Sequence, residues 1–208
     1  MKPVLAVVLL SALCACRIAT VRPLGSSDAA GSAAGPFDAS AYVESIWSSR
    51  VVPTVEQEAT ECAALLPSLK ADPDGTVERL GRGSRASKYF LVKGEGTVVS
   101  VDRRSRAGLL GVDVAPADGR ADLWVQIGPV VHGMALRDAV GFIAFDQFVN
   151  QIEYADVGNA LNQRVLNSVL GGLDLESATG TVLSFAGALS PGERLLLTPV
   201  RLARKLGS

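Results

Sequence analysis

The sequence has few residues of the kinds that build metal or redox centres. Its 208 residues include one histidine, His132, and three cysteines, Cys14, Cys16 and Cys62. A structural zinc site takes four histidine or cysteine ligands, usually in closely spaced pairs. We therefore predict no metal site and no cofactor.

The chain also lacks an excess of charge of either sign. Twenty basic and 21 acidic residues give a formal net charge of −1. Nucleic-acid-binding domains commonly carry a basic patch that neutralises phosphates, so we expect no nucleic-acid partner. The length allows one sizeable domain or a main domain with a helical extension.

The first residues have the pattern of a bacterial lipoprotein signal. Lys2 precedes an apolar run over 4–10 that is too short to span a bilayer. Leu13 and Ala15 stand three positions and one position before Cys16, as in a lipobox. We predict a signal peptide over 1–15 and lipidation of Cys16 by diacylglyceryl and N-acyl chains such as palmitate. The alternative is a plain cleaved signal.

A lipidated Cys16 would hold the protein on the periplasmic side of a bacterial membrane, because two or more acyl chains anchor a protein stably. Arg17 follows the cysteine where an inner-membrane retention signal has aspartate, which favours the outer membrane. Residues 16–36, rich in Gly, Ala and Ser, form the predicted tether. About 20 flexible residues have a root-mean-square reach of roughly 25 Å.

A helical region is predicted over 37–85. Asp38 or Ser40 can cap a first helix that runs through Ser49, and Pro53 is expected to break it. The apolar face of this helix carries Tyr42, Val43, Ile46 and Trp47.

A second helix is predicted from Thr54, which forms a capping-box pattern with Gln57. Its apolar stripe consists of Val55, Ala59, Cys62, Leu66 and Leu69. The place of Cys62 on this stripe indicates a buried, inert thiol rather than a nucleophile. The run 72–75 is expected to be a turn.

The second part of the chain, 86–208, is rich in β-strand patterns. The predicted strands are 89–93, 96–102, 108–114, 123–131, 180–188 and 194–203. A short strand at 139–144 and a helix capped by Asp156 are predicted between them. Although six long β-rich runs are counted, we interpret this part as a five-stranded Greek-key barrel of the OB type, in which three strands, a helical crossover and two strands follow one another. The predicted fold is therefore α+β, with a helical pair packed on an OB-like barrel.

Amides and aromatic rings concentrate between 126 and 162 and make this segment the candidate for function. Sugars are held by planar polar groups and by aromatic faces. The candidate binding residues are Gln126, Arg137, Asp138, Asp146, Asn150, Gln151, Tyr154, Asn159 and Asn162. The alternative is that the amides pair with backbone groups where the chain crosses the end of the barrel. We expect Phe142, Phe145 and Phe148 to point inward.

Evidence for catalysis is weak throughout the sequence. His132 lies beside Val130 and Val131, which suggests a structural role, and no Gly-x-Ser-x-Gly motif occurs. Asp146 and Asp156 stand where helices are expected to begin, so capping explains them. Arg137 and Asp138 are expected to form a structural ion pair. We predict that the protein is not an enzyme.

The chain resembles the uncharacterised family of predicted periplasmic lipoproteins that are often encoded beside ABC-type sugar importers. The matching stretches are Phe37-Asp38-Ala39, Gly128-Pro129, 135–139, Phe142-Ile143, 150–155, Ala160-Leu161-Asn162 and Thr198-Pro199-Val200. The long tether after Ile18 departs from the usual pattern. The family supplies no catalytic residues to carry over.

The resemblance implies a non-catalytic accessory or assembly factor of a sugar uptake system. Its expected partners are an ABC transporter component or a sugar-binding protein, together with the membrane through Cys16. The alternative is direct binding of a small polar ligand, such as a sugar, by the segment 126–162.

Overall fold

The N-terminal half of the fold begins with two helices joined by a wider turn. The computed structural model describes residues 36–84, 86–175 and 177–205; the predicted signal peptide, Cys16 and the tether lie outside them. Helix α1 (Ala39–Ile46) is capped by Asp38, whose carboxylate accepts from the N–H groups of Ser40 and Ala41. This confirms the first of the two expected caps.

Pro53 does not break this helix, contrary to the sequence prediction. A π-helical turn over Trp47–Val51 joins α1 to α2 (Val52–Glu58), with Pro53 near the start of α2. A proline ring in an α-helix clashes with the carbonyl four residues earlier. The wider π turn shifts the carbonyl partners, as the Val52 N–H bonded to Trp47 O shows. The chain thus stays helical, and Thr54 begins no second helix.

The predicted second helix is divided into separate elements. After α2 come β1 (Thr60–Glu61), α3 (Cys62–Ala71), α4 (Pro73–Leu80) and β2 (Arg82–Gly83). Val55, Cys62 and Leu66 are buried as the stripe predicts, although Ala59 is already extended. Asp72 accepts from the N–H of Gly75, so the predicted turn is the first turn of α4.

Five strands pair in a closed ring. They are β3 (Lys88–Asp102), β4 (Leu109–Val114), β5 (Leu123–Gln126), β6 (Val182–Ser190) and β7 (Leu196–Arg204). Their order is β3-β4-β5-β7-β6, and β6 pairs back to β3. The β5–β7 pairing is parallel, and the other four contacts in the ring are antiparallel.

Strand β3 is one long strand where the sequence suggested two. Its glycines allow α3 and the neighbouring strand β4 to approach closely. A Cβ on Gly94 would lie 3.2 Å from Cys62 Cβ, and one on Gly96 would lie 2.5 Å from Val112 Cγ1. The strand therefore continues through Gly94 and Gly96 and pairs with both β4 and β6. By contrast β5 ends at Gln126, before Gly128-Pro129.

The segment between β5 and β6 is helical. It contains α5 (Ala135–Ala139), a 3-10 turn (Phe145–Gln147), α6 (Gln151–Arg164) and a π-helical turn (Val165–Leu170). The predicted strand at 139–144 is wrong. Asp156 lies inside α6 and caps nothing there, since Asn150 is the N-cap. Val157, Leu161 and Val165 on this helix are buried.

The helices and the strand ring share one hydrophobic core. Residues Phe37–Ser208 form one compact unit. Helix α5 packs on β3 and β6, and α6 packs on α1. Large fully buried side chains include Phe90, Leu65, Leu110, Leu123, Leu136, Leu161, Leu183, Leu189 and Leu197. The fold is of the α+β class, as predicted.

Candidate functional site

Two of the candidate amides are buried and fully engaged in holding the fold. Gln126 donates through Nε2 to His132 O (3.2 Å) and to Thr198 Oγ1 (3.0 Å), and its Oε1 accepts from the His132 N–H (2.8 Å). Asn162 Nδ2 donates to Val131 O (3.3 Å) and Gly133 O (2.9 Å). Buried polar groups require such partners. For these two residues the structural alternative raised from the sequence is the better description.

Asn150 is a helix cap. Its Oδ1 accepts from the N–H groups of Ile152 and Glu153, each at 2.9 Å. Glu153 returns a bond by accepting from the Val149 N–H at 3.1 Å. The remaining polar candidates on this stretch, Asp146, Gln151 and Asn159, are exposed. They line none of the clefts described below.

Arg137, Asp138 and Tyr154 converge between α5 and α6. Arg137 Nε donates to Asp138 Oδ1 at 2.8 Å, and Nη1 donates to Tyr154 O at 3.2 Å. The guanidinium carbon lies 3.7 Å from the centre of the Tyr154 ring, within range of a cation–π contact. The Tyr154 hydroxyl donates to Asp138 Oδ1 at 3.3 Å. The ion pair predicted between Arg137 and Asp138 is thus present.

These three residues line a cleft of about 430 Å³, here called the Arg137 cleft. Its other lining residues are Gly83, Ser84, Gly141 and Ile143. The side chains of Arg137 and Asp138 are 12% and 18% exposed, so each reaches solvent at one edge. In the described part of the chain, no hydrogen bond is made by Arg137 Nη2 or Asp138 Oδ2.

The environment of the cleft disfavours ionisation of its tyrosine. Burial raises the pKa of Tyr154 above its ordinary value of 10.0. The Arg137 charge opposes this shift, and the Asp138 carboxylate adds to it. Tyr154 therefore stays a neutral hydroxyl at physiological pH, able to donate and accept hydrogen bonds.

His132 and Cys62 have different environments. The His132 side chain is exposed; only the backbone of this residue is tied down, by Gln126. The imidazole therefore lies outside the core, and the structural contacts of this residue are those of its backbone. Cys62 is fully buried, and burial raises its pKa to about 12, which leaves a protonated and unreactive thiol.

The aromatic residues of the segment are only partly buried. Phe142 and Phe148 pack against the core, as expected. Phe145 is 48% exposed, so the prediction that it points inward is wrong. It follows β-extended Ala144 in a short 3-10 turn at the surface, and its ring lies 5.6 Å from that of Tyr154.

Sequence reasoning missed two features of this region. Ser84 and Gly83, which line the Arg137 cleft, lie about 50 positions before Arg137 and carry no pattern that links them to it. Val149 and Ile152 are the most exposed large apolar side chains described, and this exposure was not predicted. The signal for Val149 was its place just before the Asn150 cap.

One of the other clefts is lined largely by charged side chains. It has a volume of about 360 Å³ and is lined by Glu56, Glu61, Lys93, Glu95 and Arg201, and these residues take part in ion pairs. Among the described residues, no cluster of three or more His, Cys, Asp or Glu is arranged to hold a metal ion. The helices of the described chain are also too short or too polar to cross a membrane.

The strand order of the ring corresponds to a known fold. The chain is similar to the crystal structure of an OB-fold protein from Thermotoga maritima, with a TM-score of 0.68 and 16% sequence identity. The match covers 82% of this chain and all of that one. At this identity the likeness establishes the fold alone. Comparison with curated proteins found no match.

The sequence itself matches a family over nearly its whole length. Residues 4–203 match the family described as predicted periplasmic lipoprotein (DUF2291). The match spans positions 13–16 as well as both the helical and the strand regions. The chain therefore belongs to this family of predicted periplasmic lipoproteins.

Proposed function

We propose that this lipoprotein binds a small polar ligand, such as a sugar, in the Arg137 cleft, and catalyses no reaction on it. The observation that carries the proposal is the pair of adjacent charged residues, Arg137 and Asp138, in the lining of the cleft. Arg137 Nη2 and Asp138 Oδ2 are a donor and an acceptor that make no hydrogen bond within the described part of the chain. Neighbouring hydroxyls of a sugar both donate and accept, so they complement such a pair.

The surroundings of the pair support a recognition role. Arg137 is fixed by three contacts, to Asp138, to the Tyr154 carbonyl and to the Tyr154 ring. Side chains held in this way are preorganised for a ligand. Ile143 adds apolar surface to the lining. The side chains needed for binding therefore do not have to be ordered when the ligand arrives.

The cleft favours binding over catalysis. Its lining contains one carboxylate, Asp138, whereas glycoside hydrolysis usually requires two carboxyl groups on opposite sides of the bond. The Asp138 carboxylate is also engaged in an ion pair with Arg137. A binding role agrees with these features.

We also propose that the protein serves an ABC-type sugar importer as an accessory factor. Its anchor supports this role. Phe37, where the compact unit begins, lies about 20 residues after Cys16, which gives a reach of roughly 25 Å. A ligand bound in the cleft would be held near the membrane in which a transporter sits.

For the architecture we propose a small Greek-key barrel whose end is crossed by α5 and α6. The closed pairing order and the position of these helices between β5 and β6 support this arrangement. The Arg137 cleft supports it as well, because its lining joins residues after β2 to a residue of α6. In this arrangement the cleft lies at one end of the ring.

Two experiments test the two parts of the function. In a thermal-shift screen of the detergent-solubilised lipoprotein, at least one sugar is expected to raise the melting temperature, because a ligand of the native state stabilises it. Failure of every sugar and sugar acid in the panel to raise the melting temperature would contradict the binding proposal.

For the accessory role, crosslinking in the native cell envelope is expected to capture an importer component. The absence of any such crosslink, together with sugar uptake that is unchanged when the protein is deleted, would count against it.

A further inference from the structure

We infer that the surface formed by Phe145, Val149 and Ile152, here called the apolar rim, rests in the interfacial region of the bilayer to which the chain is anchored. Val149 is 88% exposed, Ile152 72% and Phe145 48%. The three residues fall within eight consecutive positions. Grouped apolar exposure of this kind marks a contact surface, whereas single exposed apolar residues are common.

Local structure holds the rim outward. Val149 directly precedes the Asn150 cap, a position where an apolar side chain often packs against the fourth residue of the helix. Here that fourth residue is Tyr154, whose ring already contacts Phe145, Phe148 and Arg137. The Val149 N–H is fixed by Glu153. Val149 therefore presents its side chain to the surroundings from a firmly held backbone.

A continuous series of aromatic rings links the rim to the start of the folded unit. Phe145 contacts Tyr154 at 5.6 Å, Tyr154 contacts Phe148 at 5.7 Å, and Phe148 contacts Phe37 at 5.5 Å. Phe37 is the first residue after the predicted tether, and it is itself 38% exposed. The compact unit thus begins at a residue whose ring contacts Phe148, the neighbour of Val149 in the chain.

The charge pattern identifies the kind of contact. No lysine or arginine occurs between Arg137 and Arg164 in the sequence, so the segment that carries the rim supplies no basic side chain of its own to attract anionic headgroups. Aromatic and aliphatic side chains favour the membrane interface without such attraction. The occupant is therefore the bilayer interface itself, entered by apolar contact. This inference rests on the anchor and the rim and is independent of ligand binding in the Arg137 cleft.

Strand register supplies a control position at the other end of the ring. Lys88, at the start of β3, pairs with Gly83, which lines the Arg137 cleft together with Tyr154. Gly96, eight residues along β3, pairs with Val114. The exposed Ala117 follows Val114 and so lies toward the end of the ring away from the rim.

The test places an environment-sensitive fluorophore on the lipidated full-length mature protein in phosphatidylcholine vesicles. Val149→Cys provides the labelling site, and Ala117→Cys provides the control. Cys62 is buried and Cys16 is acylated, so neither competes for the label. On detergent-free vesicles, the fluorophore at position 149 is expected to emit at shorter wavelength and more strongly than it does on the domain released from the vesicles by proteolysis. We expect no change for the label at 117.

Further measurements distinguish contact of the rim with the bilayer from contact with a protein. Ile152→Asp in the Val149→Cys protein is expected to return the emission to the released-domain value, and salt or anionic lipid is expected to have no effect. Equal emission with and without vesicles would overturn the inference. A blue shift that grows with protein density on the vesicle would assign the rim to a second copy of the chain. A shift seen only in native membranes would assign it to a protein partner, and either result would also overturn the inference.

Discussion

Gln126 shows, at the scale of single residues, how a polar side chain can be structural although its type suggests recognition. Gln126→Met keeps the volume but leaves the His132 N–H and carbonyl and the Thr198 hydroxyl without their partners. Each buried polar group left unpaired costs about 1–3 kcal/mol. We expect the free energy of unfolding in urea to fall by about 2–4 kcal/mol. Gln151→Ala, at an exposed site, should change it by about 0.5 kcal/mol or less; equal losses in both variants would contradict this interpretation.

The raised pKa of Cys62 predicts how the stability of the protein changes at alkaline pH. Its pKa is raised from 9.0 to about 12 by burial, so the unfolded chain loses the thiol proton at lower pH than the folded protein. The stabilising contribution is thus complete below pH 9 and is lost as pH rises towards 12. As pH rises from 9 towards 12, the stability of the wild type should fall relative to that of Cys62→Ala, which lacks the thiol.

A second measurement checks the same thiol. Cys62→Ala is expected to cost about 1 kcal/mol at neutral pH, as for a small core truncation. The native thiol should not react with a charged thiol reagent until the protein unfolds. Rapid labelling of the native protein would show that the thiol is accessible after all.

The sequence identified the polar side chains of the segment but not whether each is buried or exposed in the fold. It grouped Asn150 and Asn162 as amides of one segment, yet the first caps α6 at the surface and the second is buried against Val131 and Gly133. That difference depends on where α6 begins, and the sequence analysis placed its start near Asp156. Arg137 and Asp138 were identified as a pair because they are adjacent in the chain. Their cleft was not, because Ser84 comes from a distant element.

At the scale of elements, the start of α6 is the feature on which the segment depends. Asn150→Ala removes two hydrogen bonds to the first helical turn. Loss of such a cap costs about 1 kcal/mol, and we expect thermal unfolding to shift down accordingly. Gln151→Ala is the matched control, since it changes the next residue but not the cap. A melting temperature unchanged by Asn150→Ala would mean that α6 does not rely on this cap.

Two elements show why periodicity alone was insufficient. Pro53 predicts a helix end, but a π turn before it keeps the chain helical. Gly94 and Gly96 predict a break between strands, but their missing side chains allow α3 and β4 to approach β3 closely. In both cases tertiary packing selects a conformation that local preference disfavours. The succession of strands along the chain was predictable because most of the β-rich runs are separated by clear turns.

At the scale of the whole molecule, we propose that the OB-type ring of strands is attached to the membrane through a lipidated N-terminal segment. Family membership supports the lipoprotein signal, and cleavage before Cys16 would leave 208 − 15 = 193 residues. Intact-mass analysis of membrane-extracted protein should give a chain that begins at an acylated Cys16. Cys16→Ser should be neither lipidated nor retained on the membrane. Normal processing and retention of this variant would rule out the anchor.

The central functional claim is that the Arg137 cleft binds a sugar-like ligand, and calorimetric titration of the solubilised lipoprotein tests it most directly. The titrant is the sugar that stabilises the wild type most. We predict one-site binding, weakened about three- to tenfold in Tyr154→Phe, which removes one hydroxyl, and about ten- to a hundredfold in Asp138→Asn, which removes a charged acceptor. Asn159→Ala, exposed and outside the cleft, should bind as the wild type does. Equal affinity in all four proteins would contradict the claim that this cleft is the binding site.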